Sequence, residues 1–128
     1  MRRLPLFALL VLGACSMLPP SSPTARYVVF FEQWSAKLDP PGMQALAAAA
    51  AAAQQHPGVP IVVTGYADPE GSPQANKDLS RLRAQMVIDT LVQDGVAAAR
   101  ITRRSQGSVV FQIDSLESRR VEIKLGGG

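Results

Sequence analysis

The chain has 128 residues, 47% apolar, 18% charged and 5% aromatic, with a formal net charge of +3 and one cysteine. That is the length of one domain, able to bury a core unaided, and a single cysteine and a single histidine exclude a disulfide framework, a Cys-cluster metal site and a His-rich one. Two of the 13 basic residues, Arg2 and Arg3, fall in a leader, so what remains is close to neutral and carries no footprint of a nucleic-acid binder.

Met1-Arg2-Arg3 is a short positive head, and Leu4 to Leu12 is an apolar run too short to span a bilayer comfortably. Leu12-Gly13-Ala14-Cys15 ends the run on small residues and the single cysteine, a pattern that resembles the lipobox of bacterial lipoproteins. The resemblance implies a signal peptide over residues 1–14 and acylation of Cys15. Ser16, rather than an aspartate, implies sorting to the outer membrane; retention in the inner membrane stays open. The plainer alternative is a secretory signal cleaved near Ala14, leaving a free thiol. Residues 15–25 then form a Pro/Ser-rich tether that reaches about 30 Å if drawn out as polyproline II.

Tyr27 to Phe31 is rich in β-formers and is the first expected strand. Asp39-Pro40-Pro41 starts a helix, with Asp39 as its cap, and Met43 to Gln55 carries seven consecutive alanines, Ala47 to Ala53, a thin helix face suited to lie on a sheet. His56-Pro57-Gly58 stops it. Val59 to Tyr66 is a second strand, continuous enough in apolar residues to predict cover on both faces. Ala67 to Ala75 reads as a polar loop, and Asn76 as the cap of a long helix over Lys77 to Gln93 that lays Ser80, Ala84, Val87 and Leu91 on the sheet. Asp94-Gly95 closes it. Ile101 to Ser105 and Val121 to Leu125 are further strands, with room for a short one at Val109 to Ile113. The order β-α-β-α-β-β predicts an α+β, two-layer sandwich: a mixed sheet with helices on one face. A right-handed crossover is expected between the first two strands. The domain spans 26–125, and 126–128 is a frayed tail.

The chemistry concentrates in one loop and one helix. Asp68 ends a strand and opens a loop. Arg83 shares a helical column with Leu79 and Val87, beside the sheet-facing side, where a guanidinium needs a partner. Asp68 and Arg83 are therefore expected to approach one another, near the amides around Asn76. Two readings follow from the spacing and both stay open: an ion-pair staple, or a notch holding the two ends of a zwitterion.

The stretch Thr64-Gly65-Tyr66-Ala67-Asp68-Pro69-Glu70-Gly71, then Asn76-Lys77-Asp78-Leu79-Ser80-Arg81-Leu82-Arg83-Ala84 with Val87 and Leu91, is similar to the signature of the OmpA C-terminal-like domain shared by peptidoglycan-associated lipoproteins. Ser118-Arg119-Arg120-Val121-Glu122-Ile123 resembles its closing strand. The resemblance runs from about Tyr27 to Leu125. It implies non-covalent binding of the meso-diaminopimelate of peptidoglycan stem peptides. Asp68 would receive the ammonium and Arg83 the carboxylate, with Asn76 at the mouth of the helix, Leu79 as a wall and Arg120 from the closing Arg-Arg pair. Three departures stand out: Tyr66-Ala67 before the aspartate, Ser118 for the usual asparagine, and a shortened Gly107 to Ser118 segment.

The other candidates carry less. Arg119 and Arg120 alternate on a strand, so only one faces the site. Arg103, Arg104 and His56 read as surface residues, and Trp34 as cover for the core. Asp68 and Glu70 would form a glycosidase pair only with further catalytic groups that the loop lacks. The expectation is a non-enzymatic, lipid-anchored outer-membrane protein without cofactors. Its domain sits in the periplasm and links the membrane to peptidoglycan, with envelope protein partners possible and no nucleic acid. The alternative is an OmpA-like docking subunit of an envelope complex with weak wall binding or none.

Overall fold

The computed structural model describes residues 24–68, 70–108 and 118–127. The leader, Cys15, most of the tether and the optional strand at Val109 to Ile113 lie outside the described residues. Four strands form one sheet: β1 (Ala25–Phe30), β2 (Ile61–Ala67), β3 (Ile101–Ser108) and β4 (Arg120–Leu125). Two helices, α1 (Pro40–Gln55) and α2 (Pro73–Gln93), and a 3-10 turn at Ala98–Arg100 complete the described elements. The strand order is β1-β4-β2-β3, with β4 antiparallel to both neighbours and β2 parallel to β3. The mixed sheet of the two-layer sandwich is thus as expected. β1 and β2, though consecutive, are separated by the last strand.

Ala25, assigned to the tether, already pairs with Leu125 and opens β1. At the other end Gly126 is buried and its N–H donates to Pro60 O (2.9 Å), so the glycine tail is pinned at its first residue. β2 is central in the sheet, but its burial alternates: Ile61, Val63, Gly65 and Ala67 are buried and Val62, Thr64 and Tyr66 half-buried. The apolar run therefore overpredicted its cover. Both helices pack on the same side, and among the described residues the other face of the sheet carries none.

α1 starts where Asp39 Oδ1 accepts from Gly42 N (2.8 Å), with proline in its first turn. Leu46, Ala49, Ala50 and Ala53 are its buried stripe, so the alanine tract brings the helix axis close to the sheet. Arg100 closes its far end: Nη1 donates to Ala53 O, and Nη2 to His56 O and Val59 O, each at 2.8 Å. A cation there also suits the negative end of the helix dipole.

The cap of α2 lies four residues before Asn76. Ser72 is the cap, its Oγ accepting from Ala75 N (3.0 Å), and Pro73 opens the first turn. Ser80, Ala84, Val87 and Leu91 are buried against the sheet, on the face that the periodicity selects. What sets the distance is Gly65. A Cβ added there would lie 2.0 Å from Ser80 O, so the backbone of α2 rests directly on β2. That contact fixes where Arg83, one turn on, meets the end of the strand.

Candidate functional site

The site lies at the end of β2, under the loop joining β1 to α1. Arg83 is 0% exposed, the largest fully buried side chain among the described residues. Its guanidinium donates to three backbone carbonyls: Nε to Ser35 O (2.7 Å), Nη1 to Tyr66 O (3.1 Å) and Nη2 to Glu32 O (2.9 Å). The Phe31 ring centroid lies 5.4 Å from Cζ. A buried cation is tolerated when its donors are met, and these carbonyls meet three of the five. Burial pushes the Arg83 pKa down to about 10, opposed by the charge of Asp68 and assisted by that of Arg119.

Asp68 follows directly on β2 and is 7% exposed. Its Oδ1 accepts from Ser118 Oγ in a short hydrogen bond. Among the described residues no ion pair joins Asp68 to Arg83. They share a neighbourhood and an electrostatic coupling, not the direct pairing expected of a staple. Ser118, one of the departures noted in the sequence, is the hydroxyl that holds the Asp68 carboxylate.

Asn76 is fully buried inside the first turn of α2, not at its cap. Its Nδ2 donates to Glu70 O (2.6 Å), drawing the loop after Asp68 onto the helix. Its Oδ1 is buried with no hydrogen-bond partner among the described residues. An orphaned acceptor beside an acidic loop suits a ligand that brings a donor. Leu79 is half-buried on α2, four residues before Arg83.

The closing arginines are placed the other way round from expectation. Val121 is buried toward the helices, so Arg120, its neighbour, points to the helix-free face. There its guanidinium lies 4.3 Å over the Tyr66 ring and its Nε donates to Glu122 Oε1 (3.1 Å). Arg119 is the one on the site's side. It lines a cleft of about 440 Å³ whose walls include Phe31, Glu32 and Ser35, the same residues that enclose Arg83. Its Nε is buried and without a hydrogen-bond partner among the described residues. The residue register of the strand carried this signal, but only once its first residue was known.

Trp34 is not core cover. It is 52% exposed, and its φ of 57° is the sole positive value for a non-glycine among the described residues. Such a backbone costs a large residue on the order of 1–2 kcal/mol. Its ring rests on Gly71, where an added Cβ would fall 2.6 Å from a ring carbon. Gln33 Nε2 donates to Glu70 Oε2 (3.2 Å) beside it. Two loops thus meet over the site.

These groups bring a carboxylate, two guanidinium groups and an unmet amide oxygen together at the end of β2; Asp68, Asn76 and Arg83 are buried, and of the four residues Arg119 lines the open cleft. No described helix is long and apolar enough to cross a membrane.

Comparison with known proteins places this geometry. Residues 30–121 match the model of the OmpA family. The chain is 34% identical over 103 residues to the probable lipoprotein YiaD of Escherichia coli (strain K12), covering 76% of this chain and 47% of that protein. It is 44% identical over 55 residues to outer membrane protein A of Serratia odorifera, covering 43% of this chain and 23% of that protein. It therefore spans less than half the length of these curated relatives. Among solved structures, the peptidoglycan-associated lipoprotein from Burkholderia pseudomallei superimposes with a TM-score of 0.71 at 23% identity, over 77% of this chain and 89% of that one, a likeness of fold.

Proposed function

This chain belongs to the OmpA family, and from that premise we propose that it binds peptidoglycan non-covalently through the meso-diaminopimelate of the stem peptides. The observation that carries the reading is the burial of Asp68 and Arg83 near one another, electrostatically coupled, at the end of β2. The carboxylate is held by Ser118 and not consumed by an ion pair among the described residues, and the guanidinium keeps two of its five N–H donors. Asp68 takes the ammonium of the ligand, Arg83 and Arg119 face its carboxylate, and Asn76 Oδ1 accepts a further hydrogen bond. The step is recognition, with no bond made or broken.

We extend the reading to the whole chain: acylated at Cys15, it ties the outer membrane to the wall from the periplasm. A single such site is weak; a micromolar constant corresponds to about −8 kcal/mol, and many tethered copies on one wall add avidity. The name of the Burkholderia pseudomallei fold neighbour and the lipoprotein relative support this assignment.

The test is retention of the full chain on two insoluble walls, one with diaminopimelate in its stems and one with lysine, alongside Asp68→Asn and Arg119→Ala. Retention on the first wall only, lost in both variants, is expected. Equal retention of wild type and variants, or on both walls, overturns the reading.

A second reading is favoured by one observation. Arg83 spends three donors on backbone carbonyls and is closed from solvent, as a residue kept for structure would be. The domain would then be a docking subunit of an envelope complex. A folded wild type that no wall retains, and an envelope protein that copurifies after wall digestion, would establish that alternative.

A further inference from the structure

Trp34 is held in a conformation that folding alone does not explain. Its backbone is left-handed, which a bulky side chain rarely adopts, and half of its surface is open to water. Burial does not repay the conformation. The ring rests on Gly71, itself at φ 89°, in a gap that a Cβ there would fill. Strain retained at a fixed, exposed residue beside a binding notch points from the outlier to a function. The position is also close to the site, since the next residue, Ser35, accepts from Arg83 through its carbonyl.

We propose that Trp34 is a stacking platform for a sugar ring of the peptidoglycan strand, so that the domain recognises the glycan as well as the stem peptide. This rests on the stem-peptide reading above. A sugar ring presents a flat C–H face that an indole can cover, and hydroxyls that polar neighbours can meet; Gln33 and Glu70 stand beside the ring. The spacing suits it. Trp34 directly precedes Ser35, whose carbonyl accepts from Arg83 Nε, so the indole and the guanidinium stand within the reach of a short extended peptide. A stem held by its diaminopimelate therefore delivers its sugar end to Trp34. A ring held in place before binding loses little freedom on contact, which favours affinity.

The full chain, solubilised in detergent, is titrated with three ligands: a diaminopimelate stem tripeptide, the same tripeptide on its disaccharide, and the disaccharide alone. Trp34 is the single tryptophan, so its emission reports the contact directly. The sugar-bearing ligand is expected to bind about tenfold tighter than the bare peptide, about 1.4 kcal/mol, and to shift the emission to the blue, which the bare peptide does not. Calorimetry on Trp34→Ala should find the two ligands equal, with the affinity for bare peptide unchanged, and Trp34→Phe should restore part of the difference. Trp34→Asn, which tolerates the left-handed backbone, should melt no lower than wild type. The proposal is overturned if wild type binds both ligands equally, or if Trp34→Ala weakens bare peptide as much as the sugar-bearing one, the mark of a latch between loops. Binding of the peptide without a sugar increment leaves the stem-peptide reading standing; binding of neither removes both.

Discussion

Asp68 and Arg83 lie buried at the end of β2, electrostatically coupled without pairing. The Asp68 carboxylate takes the hydroxyl of Ser118, and the Arg83 guanidinium is shared among the carbonyls of Glu32, Ser35 and Tyr66. The coupling between them is through space, and shows as the lift that Asp68 gives to an Arg83 pKa otherwise lowered by burial. A salt bridge would have left neither group available. This arrangement makes the arginine the post on which the β1–α1 loop hangs.

Arg83 should therefore matter to stability before it matters to binding. Arg83→Met takes this donor from three part-buried carbonyls, at up to about 1–3 kcal/mol each before any relaxation. Urea unfolding should show a loss of several kcal/mol, with Arg83→Lys losing less. A midpoint equal to wild type would mean that water replaces the guanidinium.

Arg119 and Arg120 should separate cleanly. Arg119→Ala removes a cation from the wall of the cleft and should reduce wall binding roughly tenfold, about 1.4 kcal/mol. Arg120→Ala removes the cation stacked on Tyr66 on the opposite face, so binding should change less than twofold. Its cost should appear as about 0.5–1 kcal/mol of stability. Equal losses of binding in both would contradict the placement.

Binding should be flat between pH 6 and 9 and fall as pH rises through about 10, where Arg83 loses its proton. The stability term of this group has the opposite sign. Its folded pKa lies below that of an ordinary guanidinium, so above about pH 10 the unfolded chain holds the proton more firmly, and this group's contribution to stability rises with pH. Tyr66 works against it. Burial raises its pKa above 10, so its contribution is present below pH 10 and is lost as pH climbs through the raised value. A pH series of retention, with folding followed in parallel on wild type and Tyr66→Phe, distinguishes the two. Binding that fell below pH 9 with the fold intact would point to a group other than Arg83.

Gly65→Ala should be among the most damaging small substitutions. Its methyl would sit 2.0 Å from Ser80 O, a backbone atom, so α2 must move away from β2. Overpacking of this kind costs typically 1–3 kcal/mol, and a backbone obstacle belongs at the upper end. Displacing α2 also displaces Arg83, so thermal unfolding and wall retention should fall together. A variant as stable as wild type would show that the helix tolerates the shift.

Much of the fold was legible because its signals are local. The proline-opened start of α1, the alanine tract, the sheet-facing period of α2 and the Asp94-Gly95 stop each depend on residues within a turn or two, and all appear where the spacing puts them. The start of α2 was not legible in the same way. Ser72-Pro73 and Asn76 are both good openings, and what chose between them was the buried amide of Asn76 closing on Glu70 O. Burial on the second face of β2 failed for a similar reason: an apolar run does not say on which side the helices lie.

Asp68 and Arg83 could be singled out by sequence, since one ends a strand and the other sits on the wrong face for a free charge. Their partners could not. Arg83 reaches carbonyls 48, 17 and 51 positions away, and Asp68 is met by a hydroxyl 50 positions on. The choice of Arg119 over Arg120 turned on the first residue of β4, where a one-residue shift exchanges the two faces of a strand. Periods, caps and breakers are set by short-range sterics and hydrogen bonds, which the order of residues carries directly. The contents of the notch were decided by tertiary structure, because desolvating a guanidinium makes it take whichever carbonyls the packed loops bring within reach.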